Sequence, residues 1–125
     1  MRVFKTKPFS RFANAEDIAD SDLCEVVKRA EAGTIDADLG GGVIKQRIAR
    51  AGQGKSGGFR SIILYRRGDK AFFVHGFAKK DKDNIDSKEL RAIRNLADIM
   101  LAMSDEQIKA ALKNRTITEV KCREA

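Results

Sequence analysis

The sequence predicts an α+β fold, a small antiparallel sheet packed against helices from the N-terminal and C-terminal parts of the chain. Three observations carry this reading. Apolar residues recur with the helical period before Gly33 and again after Asp86, and between these stretches the period changes to two. The tight Arg66-Arg67-Gly68-Asp69 connection joins two of the period-two runs as an antiparallel hairpin. Asp86 with Glu89, and Ser104 with Gln107, have the spacing of capping boxes, each ahead of an apolar periodic run.

Taken in order, residues 2–7 read as an opening strand stopped by Pro8, and Phe9 with Phe12 as a turn of helix just after it. Leu23, Val26, Val27 and Ala30 fall at i, i+3, i+4 and i+7 of a helix, with Asp20 or Ser21 as N-cap and Gly33 placed to end it. From Ile35 the period is two, and residues 43–49, 59–67 and 70–78 read as three consecutive antiparallel strands. Leu90, Ile93, Ala97 and Met100 form the stripe of one further helix, and Ile108, Ala111 and Leu112 that of another. The β-branched residues within 116–120 add an edge strand. With 125 residues, 42% of them hydrophobic, the chain suits one domain spanning 1–125.

No apolar run reaches the roughly 20 residues of a membrane span, and the start MRVFKTKPF lacks the apolar block of a signal peptide. The expectation is therefore a cytoplasmic protein with no membrane partner. Cys24 falls in a helical pattern and Cys122 in the tail, without a CxxC or histidine companion, so both read as ordinary thiols.

The net charge of +7 is unevenly distributed. Between Lys45 and Lys82 stand Lys45, Arg47, Arg50, Lys55, Arg60, Arg66, Arg67, Lys70, Lys79, Lys80 and Lys82, opposed only by Asp69 and Asp81, while the remainder is slightly acidic. Such a field concentrates polyanions at one surface, and counterion release supplies affinity that does not depend on sequence. A merely solvated basic face is the plainer reading of the same residues.

Gly54-Lys55-Ser56 has the look of a phosphate-binding loop, but Ala49 stands where that motif wants glycine, and strands flank it on both sides. Nucleotide triphosphate binding is rejected. The glycine-rich 52–58 stretch reads instead as an interstrand loop whose backbone a nucleic acid could approach closely. Asp36/Asp38 and Asp81/Asp83 lack the glycine and terminal glutamate of a calcium loop, so turns and caps explain them better, and no metal or other cofactor is expected.

Strand alternation puts Val43, Lys45 and Arg47 on one face, and Ile44, Gln46 and Ile48 on the other. Arg60 begins the next strand and Lys79 with Lys80 ends the one after, so a meander can gather these cations at one end of the sheet. His75 shares a face with Phe73 and Phe77 by alternation. Its apolar flanks favour a buried, hydrogen-bonded histidine; otherwise it borders the cations, where a neutral imidazole could accept a proton.

The stretches Gly40-Gly41-Gly42-Val43-Ile44-Lys45-Gln46-Arg47-Ile48-Ala49, Gly54-Lys55-Ser56-Gly57-Gly58-Phe59-Arg60 and Phe73-Val74-His75-Gly76-Phe77-Ala78-Lys79-Lys80-Asp81-Lys82-Asp83-Asn84-Ile85 occur in that order. Together they resemble the central block of RelE/HigB-type toxins of toxin–antitoxin modules, within the RelE/ParE superfamily. The resemblance implies an endoribonuclease that cleaves messenger RNA on the translating ribosome, inhibits translation and is restrained by a cognate antitoxin of helix-turn-helix type, whose gene is expected beside it. It implies a small antiparallel sheet with a basic concave face. By motif position Lys45 and Arg47 match the family's paired cations, Arg60 its arginine after the glycine turn, and Lys79 or Lys80 the basic position ending the next strand. Arg50, Lys55, Arg66 and Lys82 are the further RNA-binding candidates.

Such residues suit a metal-independent reaction in which the RNA 2′-hydroxyl attacks the adjacent phosphorus. Lysines crowded among like charges can transfer protons near neutrality, so Lys45 or Lys79 is the first choice of general base and His75 the next. Many relatives carry a tyrosine or histidine near the C-terminus, and the tail after Asn114 has neither. Alignment of the RNA by the ribosome would then supply much of the rate. The alternative is a noncatalytic toxin that binds RNA or blocks a target such as a topoisomerase.

Overall fold

The computed structural model describes residues 1–49, 58–78 and 85–122. Arg50, Lys55, Lys79, Lys80 and Lys82, together with Asp81 and Asp83, lie outside the described residues. The elements run β1 (Arg2–Thr6), α1 (Lys7–Ala15), α2 (Asp20–Glu31), β2 (Ala37–Gly40), β3 (Val43–Ile48), β4 (Phe59–Arg66), β5 (Lys70–Ala78), α3 (Ser87–Met100), α4 (Asp105–Lys113) and β6 (Ile117–Val120). The sheet order is β2-β3-β4-β5-β1-β6.

The expected α+β class holds, with a sheet that is mostly antiparallel. It differs in one pairing: β1 lies parallel to β5, with Arg2 opposite Lys70 and Phe4 opposite Phe72. β6 then pairs antiparallel to β1 as the edge strand, and Arg2 bonds Glu119 through two 3.0 Å contacts across that pair. The sequence reading also lacked β2, whose Ala-Asp-Leu-Gly run has poor strand propensity and is held by its neighbour β3.

Helices cover both faces. α1 and α2 pack Phe9, Ala13, Leu23, Val26, Val27 and Ala30 against Val3, Ile44, Ile48, Phe59, Ile63 and Phe73. On the opposite face, Ala97, Met100, Leu101 and Ile108 of the α3–α4 region meet Phe4, Val43, Ile62, Leu64 and Phe72. Alternation along each strand decides which cluster a side chain joins.

The helix ends are set locally. α2 starts from Ala19 rather than Asp20 or Ser21, because Asp22 reaches back to the Ala19 amide at 2.9 Å while Asp20 accepts from Lys5 Nζ at 3.0 Å. Gly33, at φ +93°, ends it, with its amide bonded to the Ala30 carbonyl and that of Thr34 to Arg29. Asp86 caps α3 through the Glu89 amide, and Ser104 with Gln107 forms the full box at α4.

The two cysteines are not separate thiols. Cys24 of α2 and Cys122 are joined by a disulfide spanning 98 residues of sequence. Their spacing held no sign of this, because the pairing arises when β6 returns beside β1 and carries the tail to α2. Among the described residues no helix is long and apolar enough to cross a membrane.

Candidate nucleic-acid interface

Register brings the described cations together. Lys45 on β3 stands opposite Ile62 on β4, which stands opposite His75 on β5. One step along, Arg47 stands opposite Arg60, and Arg60 opposite Phe77. Ile62 and Phe77 belong to the apolar cluster on the α3–α4 side, so both rows project from that face. Arg60 is thus the centre of a patch: directly beside Arg47 and Phe77, and diagonal to Lys45 and His75 at about 7–8 Å between backbones.

The sequence reading set Phe73, His75 and Phe77 on one face. A register shift between Ile62 and Ile63 overturns this, since Ile62 pairs with His75 but Ile63 with Phe73, leaving Val74 as the extra residue of a bulge. Phe73 consequently fills the α1–α2 core, whereas His75 and Phe77 emerge on the other side. His75 is exposed rather than buried, with its ring centroid 5.7 Å from that of Phe77.

Gly76 follows the bulge and faces α1. A Cβ there would lie 2.3 Å from Phe12 Cε2, so the helix ring packs directly on the β5 backbone. The turn between β2 and β3 is as tightly enclosed: Gly40, Gly41 and Gly42 have φ of +82°, +64° and +83°, and a Cβ on Gly42 would sit 2.8 Å from Leu101 Cδ1. Arg94 of α3 donates to the Leu39 carbonyl at the same turn. The Arg94 and Leu101 contacts fix α3 and its C-terminal end to the β2–β3 turn.

The cations differ in their partners. Asp36 lies 3.7 Å from Arg47 Nε and 3.6 Å from Arg29 Nη1, and accepts the Arg47 amide at 2.7 Å. Arg47 is therefore partly offset and anchored to Asp36, the residue that precedes edge strand β2. Lys45 and Arg60 have no carboxylate partner among the described residues. Arg66 is not brought to the patch: it stands opposite Lys70, about 20 Å along β4 from Arg60, and donates to the Leu101 carbonyl at 2.8 Å. Asp38 accepts the Gly40 amide at 2.9 Å, a turn contact of the kind expected for it. Among the described residues no group of three or more His, Cys, Asp or Glu side chains could hold a metal ion.

Phe77 and the α3 residues Glu89, Ile93 and Leu96 beside His75 were not recognised as site elements from sequence. Gly76 was the available signal, because a glycine inside a strand pattern marks a bulge or a close backbone approach.

Residues 1–120 match the family model described as the RelE toxin of the RelE/RelB toxin–antitoxin system. The class is therefore that of a toxin from a toxin–antitoxin system, whose partner is a cognate antitoxin. Within that class, the chain belongs to the RelE toxin family. No curated protein matches it.

Proposed function

We propose that this toxin is a metal-independent endoribonuclease that cleaves messenger RNA on the translating ribosome and so inhibits translation. The observation that carries the reading is the direct opposition of Arg47 and Arg60 with Lys45, His75 and Phe77 around them. Like charges facing each other across strands destabilise a sheet, by up to about 1 kcal/mol, so an isolated fold gains nothing from the arrangement. A polyanion reverses the sign of that cost. The interleaved rings add a surface on which bases can stack.

In the reaction, Arg60 binds the scissile phosphate and stabilises the charge that grows on it. Lys45 and His75 flank Ile62 on either side, about 10 Å apart along the backbone row, and act as the proton-transfer pair. Lys45 takes the proton of the 2′-hydroxyl. Its oxygen forms a bond to phosphorus, the bond to the 5′-oxygen breaks, and His75 protonates that leaving group. The products are a 2′,3′-cyclic phosphate and a free 5′-hydroxyl. Arg47, tied to Asp36, positions the RNA backbone. Lys79 and Lys80 remain proposed members of the site on motif position, as Arg50, Lys55 and Lys82 do for binding. Action on messenger RNA places the working toxin in the cytoplasm, with the ribosome and an antitoxin of helix-turn-helix type as proposed partners.

The test is inducible expression with transcript end mapping. Lys45→Ala and Arg60→Ala should each lower cleavage by about 100-fold or more while the chain stays folded and retains its antitoxin. Growth arrest by the wild type without any new 5′-hydroxyl ends would refute the nuclease reading and favour a toxin that blocks its target.

A further inference from the structure

A concavity of about 370 Å³ opens beside β1 and β6, where Cys122 lines it together with Arg2, Glu119 and Lys121. In sheet order β6 stands three strands from β4, which carries Arg60 at the centre of the basic patch. The size falls within the range of small-molecule sites, about 300–1,000 Å³. Arg2 is matched by Glu119 through two 3.0 Å bonds, whereas Lys121 has no carboxylate partner among the described residues. The wall around Cys122 therefore carries a surplus of positive charge.

The two sulfurs of the disulfide differ in access. Cys122 is exposed and lines the concavity. Cys24 is half-buried in α2, packs against the α1–α2 core, and has its Sγ 3.8 Å from the Lys121 carbonyl oxygen. A thiolate arriving from solvent meets Cys122 first, and the sulfur it displaces is that of Cys24.

We propose that Cys122 is a thiol–disulfide exchange site for a small anionic thiol of the glutathione type, and that the state of its bond to Cys24 sets how readily the toxin opens to proteolysis. In the first step the sulfur of the small thiolate forms a bond to Cys122 Sγ, the bond from Cys122 to Cys24 breaks, and Cys24 leaves as a thiolate that takes a proton from water. A second small thiolate attacks the sulfur that arrived first, so the reagent departs as its own disulfide and Cys122 is released as a thiolate, protonated in turn. The protein disulfide gains two electrons and two small thiols lose one each. Lys121 favours an anionic reagent over a neutral one. The freed Cys24 thiol is placed to donate to the Lys121 carbonyl.

The regulatory half rests on the nuclease reading, because action on cytoplasmic messenger RNA puts the bond in a compartment where thiols are kept reduced and a disulfide forms only on oxidation. Reduction removes the tie between the end of β6 and α2. Opening of that strand uncovers both cores, since Val120 belongs to one and Ile117 to the other.

The experiment uses the purified full chain with glutathione, glutathione disulfide and the neutral thiol 2-mercaptoethanol. Reduced Cys24→Ser should gain a glutathione from glutathione disulfide, read by mass, about tenfold or more faster than reduced Cys122→Ser. In the oxidised chain, Lys121→Glu should slow opening by glutathione about threefold relative to opening by 2-mercaptoethanol. Trypsin should cut the reduced chain after Arg115 about 100-fold faster than the oxidised chain. Cys24→Ser/Cys122→Ser should match the reduced chain in either buffer. Faster uptake at Cys24, or equal slowing with both thiols, overturns the exchange site, and equal digestion of oxidised and reduced chains overturns the regulatory role. Transcript end mapping keeps the nuclease separate. Uptake at Cys122 with redox-dependent digestion but no new 5′-hydroxyl ends supports the exchange site and refutes the nuclease, and cleavage with none of these redox effects does the reverse.

Discussion

Opening the disulfide between Cys24 and Cys122 should cost this fold much of its stability while sparing the basic patch. The bond closes 98 residues of sequence separation, so its loss frees nearly the whole chain in the unfolded state. The loop-closure relation gives about 4.7 kcal/mol at 25 °C for a loop of that length, an upper figure, since measured disulfides more often give about 2–4 kcal/mol. For a chain of this size that corresponds to a fall of roughly 10–15 °C in melting temperature. The strand most exposed to the loss is β6, which among the described residues pairs only with β1 and whose Ile117 and Val120 fill separate cores. Lys45, Arg60 and His75 lie on β3, β4 and β5, away from it. Urea unfolding of the oxidised chain, of the same chain with a reducing agent, and of Cys24→Ser/Cys122→Ser should show the last two alike and both shifted to lower midpoint. A difference below about 1 kcal/mol between oxidised and reduced chains would refute the argument that this cross-link restrains the unfolded ensemble.

Gly76→Ala should destabilise by about 1–3 kcal/mol through overpacking against Phe12, and Phe12→Leu in the same chain should recover part of the loss, read as a coupling energy in denaturant. Gln46, fully buried, accepts from the Asp36 amide at 2.6 Å and donates to the Thr34 carbonyl at 3.1 Å. Gln46→Leu should cost about 1–3 kcal/mol for each buried group left unpaired, again read in urea. The Tyr65 hydroxyl is pushed up to about 12 from 10.0 by burial and by its hydrogen bond to Glu31. The folded chain therefore holds this proton when the unfolded chain has lost it, and stability should fall as pH rises from 10.0 to about 12. Tyr65→Phe should lack that component. As the chain has one tyrosine, phenolate absorbance reports the titration without overlap, and an unperturbed midpoint would contradict the packing described.

Most of the scaffold was legible because its signals are local. Leu23, Val26, Val27 and Ala30 all lie buried in α2, and Ser104 with Gln107 makes both bonds of its capping box. The hairpin at Arg66–Asp69 and the shared face of Lys45 and Arg47 likewise follow from neighbouring residues. Elsewhere the outcome depended on partners far away in the chain. β2 forms because β3 offers it an edge, and β1 finds β5 across most of the sequence. Ala19 is the cap because Asp20 and Asp22 have other partners, Lys5 for one and the Ala19 amide for the other.

The amino-acid order alone determined the class of fold, the strongly basic middle of the chain, and the likeness to RelE-type toxins. Those follow from periodicity, composition and short motifs, all of which are properties of neighbours. Tertiary structure decided that Arg60 is the centre of the patch, that Asp36 restrains Arg47, that Arg66 serves α3 instead, and that the cysteines are joined. It also turned His75 outward, because a one-residue bulge reverses every side chain beyond it and is set by the opposing strand.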